Sequence, residues 1–123
     1  LHCMQFYGKY ATTVVTCGGS PPEDVENYCT KILTQYGLRL LPGVSGVLMQ
    51  FEDPDENTNL EKVSTELGRR LVQAIEQKET WPEQEEQIKQ AYEIMSFLVQ
   101  SQQEKWPVAV DYWSKHWDQQ PPG

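Results

Sequence analysis

Two long stretches, each with its apolar residues on one helical face, constrain this chain more than any other feature. In the first, Leu60, Val63, Leu67, Leu71, Ala74 and Ile75 recur at three- and four-residue spacing. In the second, Ile88, Ala91, Tyr92, Met95, Leu98 and Val99 do the same. At about 3.6 residues per turn such spacing gathers side chains into one stripe. Thr58 followed by Glu61, and Thr80 followed by Glu83, read as capping boxes that start the two helices. Pro82 is tolerated in a first turn, where its missing N–H is not needed. Trp106-Pro107 closes the second run, because a residue before proline is pushed out of the helical region. The joint between the stretches, Gln77 to Thr80, is short, so the two helices are expected to pack as a long antiparallel hairpin.

The residues before this pair predict a small sheet and one more helix. Cys3–Tyr7 and Tyr10–Cys17 read as strands, the second rich in β-branched residues. Gly8-Lys9 between them suits a two-residue hairpin turn. Gly18 to Pro22 breaks the second strand. Pro21, Pro22, Glu23 and Asp24 then open a helix striped by Val25, Tyr28, Cys29, Ile32, Leu33 and Tyr36, with Gly37 as its stop. The glycine pair lacks the Gly-Lys-Ser/Thr of a phosphate-binding loop and reads as a turn. Ser45–Phe51 alternates with apolar residues on both faces, which predicts a covered third strand. After the helices, Asp111 to Trp117 forms a short aromatic C-terminal segment. The expected fold is therefore α+β: an antiparallel sheet of about three strands on a first helix and the helical hairpin, with a short aromatic helix closing it. Residues 1–117 read as a single domain, and 118–123 as a tail or the start of a linker in a larger protein.

Charge narrows the functional classes. Eighteen acidic against ten basic residues give a net charge of −8. Affinity for a phosphate backbone comes from Lys and Arg, so direct nucleic-acid binding is not expected. No apolar run is long enough to insert in a membrane. Glu52, Asp53, Asp55 and Glu56 form the densest acidic surface and leave an acidic nucleic-acid mimic as one reading. Asp53, Asp55, Asn57 and Asn59 alternate like calcium ligands. The pattern fails at Thr58, where the loop needs Gly, and at Ser64, where it needs Glu, so no metal is expected. Cys3, Cys17 and Cys29 lack metal spacing. With no Asn-x-Ser/Thr acceptor present, they favour an intracellular setting, cytoplasm or nucleus, without excluding secretion.

No catalytic motif or cofactor fingerprint occurs, and no catalytic residue or cofactor is assigned. Four Trp in a short C-terminal reach suggest either a packed closure or an aromatic docking surface made by Trp106, Tyr112, Trp113 and Trp117. The function expected is a non-catalytic protein-binding or assembly module of a regulatory or viral protein. Its surface would be this tail, a sheet edge or a helical face, with another protein or a second copy as partner. The alternative is a small-ligand carrier or enzyme with a pocket lined by Tyr7, Tyr28, Met49, Tyr92 and Met95.

Overall fold

The computed structural model describes residues 3–116. In chain order these form β1 (Tyr10–Ala11), β2 (Val14–Cys17), α1 (Glu23–Gln35), β3 (Arg39–Leu40) and β4 (Val44–Val47). Then come α2 (Leu48–Glu52), α3 (Pro54–Gln77), α4 (Pro82–Ser101) and α5 (Pro107–Ser114). The α+β class holds, but the sheet is not the one expected. Instead of one antiparallel sheet of about three strands there are two separate two-stranded parallel sheets, β1–β3 and β2–β4. In β2–β4, Val14 pairs with Val44 and Cys17 with Val47. Parallel neighbours cannot be joined by a tight turn, and α1 lies in the crossover between them.

The expected first strand, Cys3–Tyr7, is a run of turns closed by Tyr7 N–H to Met4 C=O and Lys9 N–H to Phe6 C=O. Gly8, at φ 71°, makes no hairpin; its N–H donates to Gly37 C=O at 2.7 Å. The expected strand Ser45–Phe51 ends at Val47 and continues as α2. Gln50 Oε1 accepts the Val47 N–H at 2.9 Å, satisfying a donor the new helix leaves open.

The chain divides into two compact units. Among the described residues, the first holds 3–9, Thr34–Arg39 and 80–116; the second holds Tyr10–Leu33 and Leu40–Glu79. The two long helices fall in different units, α3 in the second and α4 in the first.

In the second unit, α3 packs on β1 and β4, and α2 packs on β4 and α3. Asp53, not Thr58, caps α3: its Oδ1 accepts the Asp55 and Glu56 N–H groups at 2.9 and 3.0 Å. Leu60, Leu67 and Leu71 are half-buried and Ala74 is fully buried. Gly68 faces open space, so it is tolerated and makes no close approach. Lys78 adopts the left-handed conformation that ends α3, and Arg70 then clamps Glu79 with two hydrogen bonds. That clamp raises the Arg70 pKa further.

A break in strand pairing gives one glycine no freedom to change. Arg39, Leu41 and Val44 N–H groups donate to the Lys9, Ala11 and Thr13 carbonyls respectively. The acceptors advance two residues at a time, whereas the donors advance by two and then by three. The extra residue falls at Pro42-Gly43, a bulge in a segment whose proline has no N–H to offer. A Cβ on Gly43 would lie 2.1 Å from Thr13 Oγ1 and 2.7 Å from Thr13 O. Gly43→Ala should therefore displace the Thr13 backbone and cost about 1–3 kcal/mol, the range for overpacking. A urea midpoint unchanged from the parent would contradict this contact.

In the first unit, Met4, Met95, Val99, Ala109 and Trp113 form a core against which Tyr7, Tyr92, Trp106 and Tyr112 pack. Pro107 supplies the first turn of α5, and α5 packs on α4. The Trp113 ring centroid lies 4.9 Å from that of Tyr92, which in turn lies 4.9 Å from Tyr7 in an edge arrangement. Such contacts add to simple burial.

Candidate interaction surface

Helix α4 has two apolar faces. Ile88, Tyr92, Met95 and Val99 recur at spacings of four, three and four, and three of them are buried: Ile88 at 1 % exposure, Met95 at 8 % and Val99 at 0 %. A second series, Gln87, Gln90, Ala91, Ile94, Phe97, Leu98 and Ser101, repeats every seven residues and runs along another side of the same helix. Within it Ile94 is 60 % exposed, Phe97 70 % and Leu98 37 %. An isolated exposed Leu means little, but an uncharged stripe with two large exposed side chains one turn apart is a different observation.

Beside this second face lies a groove of about 290 Å³. Gln87, Gln90, Ala91, Ile94 and Met95 of α4 line it, together with Thr34 and Gln35 at the end of α1. Its lining is apolar with amide groups at the margin, a chemistry suited to an apolar side chain framed by hydrogen bonds. The single α4 stripe expected from the sequence leaves out Ile94 and Phe97. The available signal was two large apolar residues at i and i+3, off that stripe and in line with Leu98.

The aromatic residues singled out at the C-terminal end have different fates. Trp113 is 2 % exposed and sits in the core. Trp106 is half-buried and packs against the same cluster. Tyr112 is half-buried and stacks on His116, with ring centroids 4.3 Å apart. Trp117 lies outside the described residues.

The acidic residues Glu52, Asp53, Asp55 and Glu56 are all exposed around the start of α3. Asp55, Asn57 and Asn59 belong to the helix itself, where alternate residues diverge around the axis and cannot converge on an ion. Among the described residues no group of three His, Cys, Asp or Glu could hold a metal. All three cysteines are free thiols.

The five residues expected to line a ligand pocket divide between the two units. Tyr7, Tyr92 and Met95 pack in the core of the first unit, whereas Tyr28 and Met49 are exposed residues of the second. Among the described residues no helix is long and apolar enough to cross a membrane.

The most unusual electrostatic feature is a buried cation in the first unit. Arg39 is 6 % exposed. Its Nε and Nη2 groups donate to the two Glu85 carboxylate oxygens at 2.6 and 2.9 Å, and its Nη1 donates to Gly8 C=O at 2.5 Å. The planar fork of the guanidinium fits this bidentate pairing as an ammonium could not.

Nearby, burial raises the Tyr7 phenol pKa to about 12, with the Glu85 charge adding to the effect. Burial also raises that of Tyr92, assisted by Tyr112. A phenol whose pKa is raised by folding favours the native state below its unfolded value, about 10, and that contribution is lost as pH climbs towards 12. Tyr7→Phe should therefore flatten the fall in stability between pH 10 and 12; parallel pH–stability curves for variant and parent would refute the assignment.

Compared with protein-family models, curated proteins and solved structures, the chain matches none.

Proposed function

We propose that the chain is a non-catalytic protein-binding module whose docking face is the second apolar stripe of α4. One observation carries this reading: Ile94 and Phe97 stand 60 % and 70 % exposed on a helix whose other face already fills the core. Packing of the first unit does not require them, so their apolar character is explained by a partner that covers them. A helical partner laid into an apolar groove is an established mode of recognition, and it reads anchors at this spacing. Burial of Trp113 moves the weight of the reading from the aromatic tail to the helical face, one of the surfaces expected from the sequence.

The test is a paired substitution. Ile94→Glu/Phe97→Glu introduces charge at exposed positions and should leave the urea midpoint within about 0.5 kcal/mol of the parent, the usual range for surface changes. The same variant should lose the partner proteins that the parent chain retains on affinity enrichment from cells. Retention of the same partners by the folded variant would exclude this face.

A further inference from the structure

With α4 taken as the docking face, a premise on which the partner's identity rests, the charge pattern around its second stripe points to the kind of partner. Successive residues of a helix are turned about 100° from one another. On that geometry Glu86 and Glu93, seven residues apart, border the stripe beside Phe97, and Glu83 stands in line with it one turn before Gln87. All three are exposed, and none forms an ion pair among the described residues. Glu86 accepts one hydrogen bond, from the Gln90 amide at 3.1 Å. The one cation on α4, Lys89, lies beyond Glu93 on the side away from the stripe. The stripe itself carries no charge. Its length, from Gln87 to Ser101, is roughly 21 Å at about 1.5 Å per residue, which matches one helix of four turns.

From this arrangement we infer that the second face of α4 binds an amphipathic helix of a partner protein whose apolar stripe is flanked by Lys or Arg. A second copy of the chain fits less well. It would bring its own net charge of −8, and a two-fold packing of α4 on itself about Ile94 would set Glu93 against Glu93. Opposed like charges disfavour such a pairing, while a basic flank turns the same carboxylates into attraction and orientation.

The test uses the whole chain and three synthetic 18-residue peptides. One carries a Leu stripe at heptad spacing with Lys elsewhere, the second replaces Lys with Glu, and the third scrambles the first so that no stripe remains. Binding is read by calorimetry and by amide chemical-shift changes at near-physiological salt. The Leu/Lys peptide should perturb Gln87 to Ser101. Its affinity should fall at least tenfold with Phe97→Ser and severalfold with Glu86→Gln/Glu93→Gln. It should not change with Glu52→Gln/Glu56→Gln, which removes equal charge elsewhere.

Equal weakening by the Glu52 and Glu56 substitutions, or equal binding of the scrambled peptide, would reduce the effect to general charge attraction and overturn the inference. Preferential binding of the Leu/Glu peptide at α4, or Phe97-dependent dimerisation of the chain alone, would keep the docking face and discard the basic partner. No perturbation of α4 by any peptide, with partner retention by Ile94→Glu/Phe97→Glu, would discard both.

Discussion

Replacing Arg39 with Ala should cost about 3 kcal/mol of stability, the lower end of the range for breaking a buried ion pair. The lower end applies because the two side chains are unequally covered, at 7 % exposure for Arg39 and 29 % for Glu85. The loss has two sources. Glu85 would keep a charge in a partly dry site without its bidentate donor, and Gly8 C=O would lose the Nη1 hydrogen bond that holds the N-terminal turns to the rest of the unit. Glu85→Gln should be costly for the converse reason, since it leaves the guanidinium buried beside a neutral amide. Arg39→Met/Glu85→Leu removes both charges and should recover much of the loss, as apolar replacements of whole buried pairs do. Urea unfolding of the three variants decides the matter. If Arg39→Ala shifts the midpoint by less than about 1 kcal/mol equivalent, the pair contributes no more than an exposed one.

Trp113→Ala should be comparably damaging, at about 3–5 kcal/mol for truncation of a buried large aromatic. Trp113 is 2 % exposed and shares its core with Met4, Met95, Val99 and Ala109. Because a domain of this size is commonly stable by only about 5–15 kcal/mol, one such loss removes a large share of the total. Trp113→Phe keeps the ring contact with Tyr92 and should lose markedly less. Near-ultraviolet circular dichroism and denaturant melts distinguish this from a docking role. A docking residue would leave the melt in place and reduce only binding, and that outcome would contradict the packing described.

Apart from α2, the helices were legible in the sequence because their signals are local. Apolar spacing marks α1, α3 and α4, Pro22 and Gly37 bracket α1, and Pro107 sets the start of α5. What the helices pack against was not legible. Tyr10–Cys17 announces a strand by its β-branched residues, but nothing in it names a partner some thirty positions later. Gly8-Lys9 offered a plausible nearby turn, whereas the Gly8 N–H is spent on Gly37. Leu48 to Phe51 failed for another reason. A short run that is apolar on both faces has no diagnostic period, and the choice fell to one Gln50 side chain capping Val47. Of the stripe read on α3, Leu60, Leu67 and Leu71 are half-buried and Ala74 is buried, whereas Val63 and Ile75 stay exposed. The proposed docking face was half legible: the acidic balance and the Leu98 position were plain, but Ile94 and Phe97 acquire meaning only once Ile88, Met95 and Val99 are known to be buried in the core.

The order in which the first unit's parts occur along the chain bears on how it is made. Its core joins Met4 to Trp113, so the earliest buried residue must wait for almost the whole described chain to be synthesised. The second unit is complete by Glu79. At roughly 5–20 residues per second, the roughly 110 residues between Met4 and Trp113 take on the order of 5–20 s to appear. During that interval the N-terminal segment with Met4, Phe6 and Tyr7 leaves the ribosome without its core partners. A nascent chain stalled at the point where Glu79 has just cleared the ribosome should therefore resist protease within Tyr10–Leu33 and Leu40–Glu79 while remaining open to cleavage before Tyr10 and within Thr34–Arg39.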